Sequence, residues 1–182
     1  MISKPANYDS ISENGFRKLE MGGYVGIIRK VTDVPNDKYL EIEYDIAEGE
    51  FKNIAADAYE QWGNWNYKFR IYYSEKSLWR LKKFISRVEQ TNPNFTFDWN
   101  NVNCLVNKGI GLIIGMRQYW GKDGTLKEAP DVQDFCTAKE IREGNLPSQP
   151  KVNEPRNSVV AASTPAFAEV PSTVAEEEDI PF

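Results

Sequence analysis

The chain has 182 residues, enough for one domain of roughly 140 residues with length to spare. Lys and Arg total 22 against 27 Asp and Glu, a net charge of −5, and there is no histidine, which excludes imidazole acid–base chemistry, Ser-His and Cys-His nucleophile pairs and His-ligated metals. Cys104 and Cys136 are the only cysteines, too few for a Cys₄ or Cys₃His zinc site, and read as small core residues in a reducing cytoplasm, with no metal and no cofactor expected.

Taken in chain order, Gly22-Gly23 opens a β-rich run over 24–34, and Pro35-Asn36-Asp37 supplies turn chemistry for a hairpin. Residues 38–46 alternate: Leu40, Ile42, Tyr44 and Ile46 face one side, Glu41, Glu43 and Asp45 the other. Residues 48–62 are ambiguous, with a short helix the best fit. Tyr67, Phe69, Ile71 and Tyr73 then alternate with Lys68, Arg70 and Tyr72, which predicts a third strand with the first set in the core.

Ser74 is placed to cap a helix over 75–90, whose buried face is Leu78, Leu81, Ile85 and Val88. Asn92-Pro93-Asn94 stops it. The longest apolar run, 109–116, belongs to a strand over 109–120 and is far short of the ~20 residues a membrane-spanning helix needs. Gly121-Lys122-Asp123-Gly124 turns the chain, residues 125–137 return, and 138–143 close with a helical turn.

The order strand, strand, strand, helix, strand, strand predicts a mainly β protein: an OB-fold, a five-stranded barrel with one helix between its third and fourth strands. Composition changes near Asn145. Residues 1–144 form the expected domain. Residues 145–175, rich in Pro, Ser, Ala and Val without periodicity, read as a disordered linker. Residues 176–182, EEEDIPF, form an acidic tip. The first residues, MISKPANYDSISENG, lack the apolar core of a signal peptide, so a cytoplasmic location is expected.

Residues 64–90 carry seven basic residues against Glu75 and Glu89, a local +5 in a chain of −5, with aromatics interleaved. Cations hold phosphates and aromatic faces stack on unpaired bases, so this composition suits single-stranded nucleic acid. Lys68, Arg70 and Tyr72 are candidates on the exposed strand face. Lys76, Arg80, Lys83 and Arg87 form a cationic stripe on the helix, which reads equally as a solvated face. Trp62 and Trp65 look like exposed rings in a loop. The last hairpin adds Arg117, Tyr119, Trp120, Lys122 and Lys127, with Trp120 open to a second reading as a plug for the barrel end. One feature opposes nucleic acid: the row Glu41, Glu43, Asp45. It is a solvated face, a partner surface, or the carboxylate cluster of a magnesium-dependent nuclease. A protein-interaction module without nucleic-acid binding is the third alternative.

The tail, EEEDIPF, resembles the C-terminal tip of bacterial single-stranded-DNA-binding proteins, which join an OB-fold to a disordered linker and end in acids plus Asp-Ile-Pro-Phe. The segments YDIAEGEFKN (44–53), NPNFTFDWN (92–100), the GKDG hairpin and KEIREG (139–144) are similar to the corresponding proteins of phages infecting Gram-positive bacteria. The resemblance implies a non-enzymatic protein that coats single-stranded DNA without sequence preference and is able to form homo-oligomers. It also implies that Asp179, Ile180, Pro181 and Phe182 dock in an apolar pocket on replication, recombination or repair proteins. The chemistry of the tip agrees: Pro limits the unbound states, Phe is an anchor, and the acids steer toward basic partners.

Overall fold

The computed structural model describes residue 3 and residues 17–155. Its frame is an antiparallel sheet of β1 (Gly22–Val34), β2 (Tyr39–Ile46), β3 (Lys68–Tyr72), β4 (Gly109–Trp120) and β5 (Leu126–Cys136), in the spatial order β3-β2-β1-β4-β5. Among the described residues three α-helices punctuate it: α1 (Ile54–Trp62) between β2 and β3, α2 (Leu78–Thr91) between β3 and β4, and α3 (Ala138–Arg142) after β5. A two-residue strand, β6 (Val152–Asn153), runs parallel to β4. The architecture is mainly β, and the placement of α2 is consistent with an OB-like fold.

The strands follow the alternation written into them. Leu40, Ile42, Tyr44 and Ile46 are buried on β2, and Phe69 and Ile71 on β3, while Lys68, Arg70 and Tyr72 point outward. Tyr67 and Tyr73 pack against this core half-buried. Register shifts in β1 at Ile28/Lys30 and in β4 at Ile113/Ile114 mark bulges, which bend strands and increase twist. The sheet curls so far that its edge strands meet through side chains: the rings of Phe69 on β3 and Phe135 on β5 lie 5.5 Å apart. Among the described residues no ladder joins β3 to β5. Phe84 of α2 fills the gap beneath, 5.9 Å from Phe69 and 5.3 Å from Phe135.

Helix α2 starts three residues later than the sequence pattern predicts, after a single 3₁₀ turn at Glu75–Ser77, and the Ser74 side chain caps nothing. Its buried face is Leu81, Phe84, Ile85 and Val88. Leu78, expected in that face, is exposed, because it sits on the first helical residue, ahead of the turns that pack on the sheet. Cys136 is buried, which pushes its thiol up to about 11, and Cys104 is half-buried, so both thiols are packing residues.

Residues 145–155 were expected to begin a disordered linker. They are instead a strap bonded to the body. The Met116 amide donates to the Lys151 carbonyl (3.0 Å), the Gln133 side chain exchanges two hydrogen bonds with the Lys151 backbone (2.7 and 2.8 Å), and Ser148 donates to Asp134 (3.0 Å). β1 ends its pairing with β4 at Ile114, so β6 covers the stretch of β4 edge that β1 leaves open. Gly115 makes this possible: a Cβ there would stand 2.3 Å from the Lys151 carbonyl oxygen. The rest of the linker and the tip, with Asp179, Ile180, Pro181 and Phe182, lie outside the described residues.

Candidate nucleic-acid interface

A groove of about 1460 Å³ runs along the curled edge of the sheet. One wall is the outer face of β2 and β3, the other is β5 with the strap, and α2 lies across the gap between them. The end of α1 and the segment around Arg17 bound the groove beyond β3.

Seven of the residues singled out from the sequence meet here: Trp62, Lys68, Arg70, Tyr72, Arg80, Lys83 and Arg117. Trp62 is the last residue of α1 and is 56% exposed. Gly63 in the left-handed region (φ 69) ends the helix there, its amide donating to the Tyr59 carbonyl, and thereby fixes where that indole leaves the backbone. Tyr72, 43% exposed, leans on the Tyr39 ring at 5.4 Å, and the Arg70 guanidinium covers the same ring at 4.6 Å.

The acidic row on β2 does not behave as one unit. Glu41 lines the groove and is clamped by Lys68 (3.1 Å) and Arg70 (3.4 Å). Partial burial pushes its carboxyl up, but hydrogen bonds and charge from those two cations outweigh this and hold it below the ordinary value. Glu43 pairs with Lys30 at 3.4 Å. Asp45, expected on an exposed face, is completely buried. Its carboxylate accepts from the amides of Ile46 (2.8 Å), Ala55 (2.9 Å) and Ala56 (3.2 Å), so it caps the first turn of α1, with Arg29 at 3.9 Å. Three carboxylates turned to three separate structural tasks do not converge on an ion. Among the described residues no group of three or more His, Cys, Asp or Glu could hold a metal.

The helix stripe is also divided. Its middle, Arg80 and Lys83, is not a solvated face opposite the core; it lies along the seam between α2 and β5. Arg80 donates to the Val132 carbonyl (2.7 Å) and stacks 5.2 Å above the Phe135 ring. Lys83 pairs with Asp134 at 2.5 Å. Burial pushes the Asp134 carboxyl up, but the bonds from Lys83, the Phe135 amide and Ser148 carry it below its ordinary value. Arg87 bonds Gln90 (2.6 Å) and stands outside the groove, as does exposed Lys76. The sequence shows no acid within the stripe because the acid comes from β5, 51 residues away.

Trp65 is not an exposed loop ring. Its indole N–H donates to the carbonyls of Tyr44 (3.2 Å) and Tyr67 (3.1 Å), and its ring packs against Tyr59 at 5.9 Å. The β4–β5 hairpin projects past the core. Arg117 lies 6.0 Å over the Tyr119 ring, Lys127 pairs with Asp123 (3.0 Å), and Tyr119, Trp120 and Lys122 are exposed outside the groove. Trp120 is 60% exposed and plugs no barrel end.

The groove also holds Arg17, Lys18 and Lys151, which the sequence does not single out, and Trp79, one of the interleaved aromatics of 64–90 but not among the chosen candidates. The signal for Trp79 was present, since an indole next to Leu78 lies off the face defined by Leu81, Ile85 and Val88. Arg17 bonds the Glu50 carbonyl and Asp57, tying the segment before β1 to α1. In total the groove presents eight cations and five carboxylates, an excess of three positive charges in a protein of net −5. No family model matches the chain, and no curated protein matches it. Among the described residues no helix is long and apolar enough to cross a membrane.

Proposed function

We propose that the protein binds single-stranded DNA along this groove, without sequence preference and without catalysing a reaction on it. The observation that carries the reading is the convergence on one open groove of three exposed rings, Trp62, Tyr72 and Trp79, with an excess of cations. Rings stack on any base and cations take any phosphate, so neither selects a sequence. On this reading the curled sheet is an OB barrel closed by α2, and the protein coats exposed strands in the cytoplasm of a bacterial or phage-infected cell.

The five positive charges in excess over residues 64–90 imply a salt slope near −3.5 for single strands. The groove lowers that figure, because Glu41, Asp57, Glu128, Asp131 and Asp134 enter it from elsewhere in the chain. With three charges in excess, log K should fall against log salt with a slope of about −2. Titration of labelled oligonucleotides over a salt series measures this. Duplex bound more tightly than single strand, or a flat salt response, defeats the proposal.

The acidic tip supports a second element of the same reading: recruitment of replication, recombination or repair proteins through Asp179, Ile180, Pro181 and Phe182. One aromatic anchor tends to dominate a small interface. Phe182→Ala should therefore abolish most of the capture of such proteins and leave DNA affinity intact. Equal recovery by the wild-type and variant chains would leave the tip without that role.

A further inference from the structure

Among the described residues Trp79 has no structural task. It stands in the first turn of α2, on the second helical residue, and at 65% exposure it is the most exposed ring of the groove. The apolar face of the helix is complete without it, since Leu81, Phe84, Ile85 and Val88 fill the space over the sheet. Among the described residues no hydrogen bond or ring contact restrains the indole, whereas Trp65 is held by two carbonyls and Trp99 rests on Phe97 at 4.9 Å. Leaving so large an apolar surface in water forgoes the burial free energy that a tryptophan supplies elsewhere in a fold.

Its setting gives the exposure a use. The next residue, Arg80, is fixed by the Val132 carbonyl and the Phe135 ring, and Lys83, one turn on, by Asp134. The backbone beneath Trp79 is thus pinned to β5, so the indole is an exposed ring on an anchored base. Tyr72 and Trp62 line the same groove on the far side of the gap.

Resting on the reading of the groove as a single-strand site, we propose that Trp79 is a base-stacking residue. The bound strand then crosses α2, over the gap between β3 and β5, rather than staying on the outer face of β2 and β3. Helix α2 becomes part of the binding surface, and at least one base leaves the line of its neighbours to lie on the indole.

The test compares an oligothymidylate with an abasic phosphodiester oligomer of the same length, on the full chain. Trp79→Ala should weaken oligothymidylate binding by about 5- to 150-fold and leave abasic binding unchanged. Trp79→Phe should restore most of the affinity, and Trp79→Leu, apolar but without a π face, should not. Thermal melting of all three variants should match the wild type, because the side chain is exposed. Loss of equal size on both oligomers, rescue by Leu as good as by Phe, or no loss at all overturns the stacking assignment while the groove proposal stands. A wild-type chain that binds neither oligomer overturns both.

Discussion

Glu41 and Asp45 sit four residues apart on the same face of one strand, yet the two ends of β2 do opposite work. At the Asp45 end, α1 comes down over the strand, and the carboxylate spends both oxygens on backbone amides of Ile46, Ala55 and Ala56. At the Glu41 end nothing covers the strand but side chains, and the carboxylate meets Lys68 and Arg70 in the groove. One acid builds the wall that ends in Trp62; the other tempers the charge of the wall that carries Arg70. A periodic row of carboxylates is therefore no guide to a shared chemistry. What decides each one is the element that crosses the strand at that position.

The largest effect that tests this comparison is at Asp45. Asp45→Ala leaves three amide donors without an acceptor in a buried setting, at a cost of about 1 kcal/mol for each hydrogen bond, so about 3 kcal/mol in all. The urea midpoint should fall accordingly, and Asp45→Asn, which keeps one acceptor oxygen, should recover part of the loss. A midpoint unmoved by Asp45→Ala would show that α1 does not depend on this cap.

The contrast also explains what could be read from the sequence. The strand at 109–120 and the hairpin that follows are written locally, in an apolar run, a Gly-Lys-Asp-Gly turn and a returning strand. The outward set Lys68, Arg70 and Tyr72 is equally local, because strand alternation places it. The readings that failed each depend on a contact distant in sequence. Asp45 is buried because α1 lands on it. Trp65 is withdrawn because the carbonyls of Tyr44 and Tyr67 capture its N–H. Arg80 and Lys83 of α2 are engaged because β5 brings the Val132 carbonyl and Asp134. The strap at 145–155 has the composition of a linker, and what holds it is an uncovered strand edge together with the missing Cβ of Gly115. Nothing in its own residues announces either partner.

The smaller effect on stability, and the more informative one on binding, is at Glu41. Its partners are about half exposed, so Glu41→Gln should cost less than about 1 kcal/mol of stability. The groove gains one net positive charge, from three to four, so the salt slope for single strands should steepen from about −2 to about −2.8. Affinity should rise at low salt, and the gain should shrink as salt screens it. The pH dependence fixes the cause. Because the folded-state pKa of Glu41 lies below its ordinary 4.5, the folded protein binds fewer protons at this site than the unfolded chain. Its stabilising contribution is thus fully present above that value and is lost as the pH falls through the lowered one. Over the same range the wild-type carboxyl becomes neutral and releases Lys68 and Arg70, so wild-type DNA affinity should rise toward that of Glu41→Gln. The two titration curves should converge in acid and separate above pH 4.5. Parallel curves would mean that Glu41 acts through shape alone, and the groove end of β2 would then be as purely structural as the end held by Asp45.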